Sequence, residues 1–435
     1  MTSSPDRTSR PSRREFLRRL GLGGAAAVVG GYALDVWDWS GDATAGAATF
    51  SAGELGTGAK GRTLVVVEMA GGNDGLNTVI PIDDGVYRDL RPTLGVADPI
   101  DLGDGVGFHP NLARLAARYG RGEVALVEGL GYPDPDLSHF GSIAIWWSAR
   151  GGAGQSGWLG AYLDGTVGFD DPLAAIGIGP GPSPALRGVS SFATTIADST
   201  GLQPRLPAWV DDPDDLVTAW ADAAPAKIDP SALVGQVGRA IGLTVEARTD
   251  LERSLRGADP SYDVGPNAAR AYEDTTVVDS LALAAQLVLS PARPRVIYVS
   301  GIGDFDTHQG QLQRHPTLMA ELDEGIDAFF STLEETDPLV AERVVLATVS
   351  EFGRRPAENG DGTDHGTAAV QLVVGPKVNG GRHGEPPSLS TLDRSGNLVH
   401  TVDFRSLYAT LLDGWLGVDS AAVLGDTFER LPLFA

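Results

Sequence analysis

Five short runs of apolar, mostly β-branched residues, set among longer stretches of helical spacing, decide most of what this chain can become. Thr63-Leu64-Val65-Val66-Val67-Glu68-Met69 is the clearest, and similar runs fall at 124–127, 296–299, 344–349 and 370–374. Runs that stay apolar without alternating suit strands buried on both faces. Between them, helical patterns cover 111–119, 139–149, 231–255, 267–289, 311–333 and 404–416. Strands alternating with helices predict an α/β domain, with a mainly parallel central sheet and helices on both faces. The stretch 165–266 differs, being rich in Pro, Ala and Asp and poor in strand signals. It reads as an insertion, a mostly helical cap beside the sheet. In such sheets ligands gather beyond the carboxyl ends of the strands, so the residues after each run are where chemistry is expected.

Composition removes several kinds of chemistry. The 435 residues include 33 Lys+Arg against 57 Asp+Glu, a formal charge of −24, which repels phosphate backbones and anionic membrane surfaces and argues against a nucleic-acid partner. Cysteine is absent, so disulfides, zinc–cysteine sites, iron–sulfur clusters and thiol nucleophiles are excluded. Any metal must be held by oxygen and nitrogen. Residues 1–45 read as an address: Ser12-Arg13-Arg14-Glu15-Phe16-Leu17 precedes an apolar, glycine-rich run over 20–34, and Ala43-Thr44-Ala45 offers a cleavage site. Adjacent arginines before a weakly apolar segment resemble a twin-arginine export signal. The run of 15 residues falls short of the roughly 20 that span a bilayer, and no later stretch is longer, so no stable span is expected in the mature chain. The expected partner is the twin-arginine export machinery, and the expected location is extracellular, periplasmic or in the cell envelope.

Polar clusters follow the strand runs. After the first comes Gly71-Gly72-Asn73-Asp74-Gly75-Leu76-Asn77, whose glycines allow a tight turn that aims Asp74 beyond the sheet, or else a plain Asx turn. After 124–127 comes Asp136-Leu137-Ser138-His139-Phe140, with Ser138 at a helix N-cap, either a cap or a nucleophile whose transferred group the helix end holds. After 296–299 comes Gly303-Asp304-Phe305-Asp306-Thr307-His308, in which two carboxylates and an imidazole suit a metal ion, or form a solvated acidic loop. After 344–349 come Ser350-Glu351-Phe352-Gly353-Arg354-Arg355 and then Gly362-Thr363-Asp364-His365-Gly366. Asp364 and His365 are adjacent candidate ligands. Arg354 or Arg355 is a candidate clamp for an oxyanion, or one half of a surface ion pair. His383 stands 18 residues beyond His365 and is a further candidate, whereas His109, His315 and His400 read as surface or packing residues.

These motifs, in this order and behind that leader, resemble the bacterial family labelled "domain of unknown function 1501", from roughly residue 60 to the C-terminus and including Asp403-Phe404-Arg405. That family is similar in turn to the alkaline phosphatase and sulfatase superfamily. The resemblance implies an alkaline-phosphatase-like fold over 60–435 and one or two divalent ions (Zn, Mn, Mg or Ca). Carried over, Asp74, Ser138, Asp364 and His365 would surround one ion, and Asp304 or Asp306 with His308 and His383 the other. Glu351 occupies the place directly after its strand where the superfamily has its Asp-His pair, so it too is a candidate ligand. Asn73 or Asn77, the helix end at Ser138-His139, and Arg354 would hold the non-bridging oxygens. The implied activity is an exported metal-dependent hydrolase of small-molecule or polymeric phosphate or sulfate esters, with Ser138 as nucleophile. Two other readings share the fold: a non-catalytic exported binding or assembly protein, and a metal-dependent isomerase or transferase.

Overall fold

The structure is a computed structural model that describes residues 50–150, 156–168, 171–191, 193–196, 250–251, 253 and 276–435, with the backbone of a two-stranded piece, Val28–Val29 against Tyr32–Ala33. The rest of the expected export leader, and nearly all of the expected 231–255 helix, lie outside the described residues. No helix among the described residues is long and apolar enough to cross a membrane.

Its centre is a nine-stranded sheet in which eight strands run the same way. From one edge the order is Gly381–Gly384, Val124–Gly131, Ala369–Val374, Val344–Val349, Thr63–Met69, Val296–Ile302, Ala175–Ile178 and Thr194–Ile196, with Val402–Asp403 beside the end of Val124–Gly131. The reversed strand is Ala369–Val374, antiparallel to both its neighbours. Its direction follows from its connection. After Val349 the chain is spent on a hairpin, Arg354–Glu358 with Thr363–His365, and re-enters from the same end of the sheet. A parallel return would need a crossover along a face of the sheet.

Each strand residue serves one of two cores. Val65, Val67 and Met69 pack with helices Ala113–Gly120, Val277–Leu289 and Gln311–Thr336. Leu64 and Val66 face the other side and pack with helices His139–Ser148, Trp158–Thr166 and Phe404–Thr410, where Trp146 stacks on Phe404 and Trp158 on Tyr408. Burying a Val or Leu this fully stabilises by about 1.5–3 kcal/mol each, which is why the strands read as unbroken apolar runs. The architecture is therefore α/β with a mostly parallel sheet and helices on both faces. One expectation changes. Ala175–Ile178 and Thr194–Ile196 lie in the stretch read as an insertion, yet they extend the main sheet as parallel strands. Short and rich in Ala, Gly and Thr, they carry little apolar signal.

Candidate metal centre

Four strand ends converge beyond the carboxyl edge of the sheet. The loop after Thr63–Met69 turns through Gly71, at φ +112°, where a Cβ would collide with the Asp306 backbone. Only glycine lets this loop lie against the one after Val296–Ile302. Arg354 then joins the loops. It is 1% exposed, and it donates from Nε to the Gly72 carbonyl (2.7 Å), from Nη1 to that of Thr363 (2.8 Å), and from Nη2 to the carbonyls of Gly71 and Phe305 and to Asp306 Oδ1 (2.6 Å). Expected as a clamp for an oxyanion, Arg354 is instead a buried staple with its donors spent on the chain. Its charge holds the Asp306 carboxyl down to about 2, against the upward push of burial.

Around that carboxylate stand three imidazoles. His139, Asp306 and His365 bring one ligand atom each within 4.8 Å of one another. His139 Nε2 is 3.4 Å from Asp306 Oδ2, while His365 Nε2 and His308 Nε2 are each 3.2 Å from Oδ1 and 2.9 Å from one another. His308 and His365 also use Nδ1: His365 bonds the Leu137 carbonyl (2.7 Å) and His308 bonds Asp364 Oδ1 (3.2 Å). Those oxygens only accept, so Nδ1 carries the proton in both rings. The two Nε2 lone pairs then face each other beside a carboxylate, an arrangement that calls for a cation between them. The donor set fits a divalent ion. His139 is raised by its bond to Glu351, and His365 is lowered by burial. Asp364 is lowered, first by the bond from Asn359.

His139, expected to help hold an oxyanion, thus belongs to the cluster itself. Glu351, expected as a ligand, stands behind it: buried, with Oε1 accepting from His139 Nδ1 (2.7 Å) and from the Gly71 N–H (2.9 Å). The hairpin explains why Asp364-His365 comes 13 residues after Glu351, because its strands pair His365 opposite Arg354 and return it to the sheet end. Asn359-Gly360 at its tip is a turn signal that identifies such a hairpin from sequence.

Ser138 begins the helix His139–Ser148, but its side chain makes no capping bond and is exposed. Asp136 serves that end instead, accepting from the Ser138 N–H (2.8 Å) and lying where a Cβ on Gly141 would sit. Ser138 stands in the chain between Leu137, whose carbonyl meets His365, and His139.

Other expected members stand elsewhere. Asp74 is 1% exposed and paired with Arg91 Nη1 (2.6 Å), with Gln311 Nε2 also donating (2.5 Å). Burial alone would raise its carboxyl, but Arg91 holds it below the usual range. Asn77 accepts from Arg91 and Tyr87 and donates to the Leu94 carbonyl, and Asn73 is bonded to Thr78 and His315, so neither amide is free for an oxyanion. Asp304 is 77% exposed and paired with Arg314. His383 lies on the edge strand Gly381–Gly384, bonded to the Asn379 carbonyl, because that strand pairs beyond Val124–Gly131, away from the four converging ends. The sequence reading missed Arg91 and Gln311, the one just past the helix Gly85–Leu90 and the other opening the helix Gln311–Thr336, neither with a local signal.

A family model described as "Protein of unknown function (DUF1501)" matches residues 128–430. No curated protein matches the chain. Among solved structures, an alkaline phosphatase superfamily protein from Vibrio parahaemolyticus is similar at 8% identity, covering 84% of this chain and 69% of its own, with a TM-score of 0.34. A 2-O GAG sulfatase is similar at 9% identity, 85% and 75% coverage and TM-score 0.33. The alkaline phosphatase of the Antarctic bacterium TAB5 is similar at 9% identity, 73% and 92% coverage and TM-score 0.29.

Proposed function

The chain belongs to the DUF1501 family, and from that premise we propose that it is an exported, divalent-metal-dependent hydrolase of phosphate or sulfate esters. The observation that carries this reading is an uncapped, exposed Ser138 next to the convergence of His139, Asp306 and His365. The twin-arginine pattern near the N-terminus supports export.

His139, Asp306 and His365 would hold the ion, with His308 beside them. A bound divalent ion would supply the positive charge that favours a deprotonated serine and offsets charge on the ester oxygens. Ser138 Oγ forms the new bond to phosphorus or sulfur as the bond to the leaving alcohol breaks. Water then cleaves the serine ester and releases phosphate or sulfate. Arg354 keeps Asp306 ionised and in place throughout.

The test is turnover of aryl phosphates and aryl sulfates by the folded, metal-loaded protein and by Ser138→Ala. The expected result is hydrolysis of at least one class, reduced roughly 10³-fold in the variant while bound metal is retained. Full activity in Ser138→Ala overturns the nucleophile. Absence of turnover of either class by metal-loaded wild type overturns the hydrolase.

A further inference from the structure

The outward side of each imidazole is as ordered as the inward side. His139 Nδ1 meets Glu351 Oε1 at 2.7 Å, His365 Nδ1 meets the Leu137 carbonyl at 2.7 Å, and His308 Nδ1 meets Asp364 Oδ1 at 3.2 Å. Three acceptors that cannot donate fix three rings in the same tautomer, with a proton on Nδ1 and a lone pair on Nε2. All three Nε2 atoms then turn to one carboxylate, Asp306, at 3.2, 3.2 and 3.4 Å. Asp306 Oδ1 and the Nε2 atoms of His308 and His365 form a triangle with sides of 3.2, 3.2 and 2.9 Å. An ion about 2.0–2.1 Å from each corner of a tetrahedral face implies sides of about 3.3 Å. Ca²⁺ and Mg²⁺ prefer six or more oxygens, which one carboxylate among imidazoles does not provide.

We propose that the cluster is an imidazole-rich site for a single zinc-like transition-metal ion, liganded by His139, His308, His365 and Asp306, and that Glu351, Asp364 and the Leu137 carbonyl are positioning groups and not ligands. This rests on the metal-dependent reading above and narrows it, excluding a second ion and an oxygen-preferring one. Glu351 matters most among the positioning groups. It is buried, and its Oε1 is shared with the Gly71 N–H, so the ring it aims is tied to the same loop that carries Arg354's acceptors. Asp364 is half exposed and is itself held by Asn359.

The experiment is zinc titration of the metal-free full chain, with magnesium and calcium as competitors, alongside ¹⁵N spectra of the histidine rings. We expect one equivalent of zinc, undisturbed by millimolar magnesium or calcium, and the Nδ1–H tautomer at His139, His308 and His365 before metal is added. Glu351→Ala is expected to weaken zinc binding about 10–100-fold, with Glu351→Gln restoring most of it because its amide oxygen still accepts from His139. Asp364→Ala, at a half-exposed position, provides the same test without disturbing the core, and His383→Ala is the unaffected control. Two equivalents of zinc, effective competition by magnesium or calcium, Nε2–H tautomers, or unchanged affinity in both alanine variants would each overturn the proposal. Zinc bound as described, with no ester hydrolysed, would leave this inference standing and remove the hydrolase instead.

Discussion

Two polar clusters lie within a few residues of the same strand ends, and they are built on opposite principles. In the sealed one, Asp74 faces Arg91, Gln311 bridges to Asp74 and Thr363, and Asn77 is bonded on both its oxygen and its nitrogen. Charge there is answered by charge, and what remains is one buried Asp74 oxygen, Oδ1, without a partner. In the open cluster, three imidazole lone pairs and a carboxylate turn toward each other, and the nearest cation, Arg354, reaches a single oxygen. A sealed cluster is a structural element whose removal costs stability. An open one holds unfavourable electrostatics that a ligand relieves. Acid, amide and histidine appear in both, so composition does not separate them; the orientation of donors does.

Breaking the sealed cluster produces the largest effect. Arg91→Met leaves a buried carboxylate unpaired and is expected to lower unfolding free energy by about 3–5 kcal/mol in urea titrations, while Asp74→Asn in the same chain recovers much of it. His365→Ala, in the open cluster, is expected to stay within about 1 kcal/mol without metal, since the ring is partly exposed and its removal relieves repulsion. Equal losses would erase the distinction.

Next comes pH. His315 is buried beside Asn73, and burial lowers it to about 4. A folded value below the unfolded 6.5 means that no penalty exists above pH 6.5, and that stability falls as pH drops from 6.5 through 4. The expected loss is about 3 kcal/mol. His109, packed edge-on to the same ring and likewise lowered by burial to about 4, adds to the slope. His315→Leu is expected to flatten it; an unchanged slope would assign the acid sensitivity elsewhere.

Metal sharpens the comparison from the other side. Zinc at about 100 times its dissociation constant is expected to stabilise wild type by about 2.7 kcal/mol and Arg91→Met by the same amount, and His365→Ala hardly at all. Stabilisation that disappears in Arg91→Met would mean that the two clusters are one site. Smallest is His383→Ala, expected to change stability by less than about 0.5 kcal/mol and metal binding not measurably.

The strands were legible because burial on both faces leaves an unbroken apolar run, and Thr63–Met69 and Val344–Val349 are found where those runs lie. The reversed direction of Ala369–Val374 was not legible, since the same composition serves either direction and the deciding hairpin is marked only by Asn359-Gly360. The short strands at Ala175–Ile178 and Thr194–Ile196 were hidden by small residues. In the candidate site, the short polar runs were visible, but the partners that distinguish a ligand from an ion pair were not. Asp74 and Asp306 look alike in the chain; Arg91 and Arg354, each distant in sequence, give one a sealed partner and the other an anchored, exposed face.

The cluster draws its parts from residues 139, 306, 308 and 365, carried by the loops after two strand ends and by the returning strand of a hairpin. A chain emerging from the ribosome therefore possesses one of the four until residue 306 has been made, and the last imidazole arrives within the connection to the reversed strand. Tight capture of an ion at this site would consequently be a late event, a timestamp on completed folding. Under the proposed export of an already folded chain, that would place loading on the side where the chain was made.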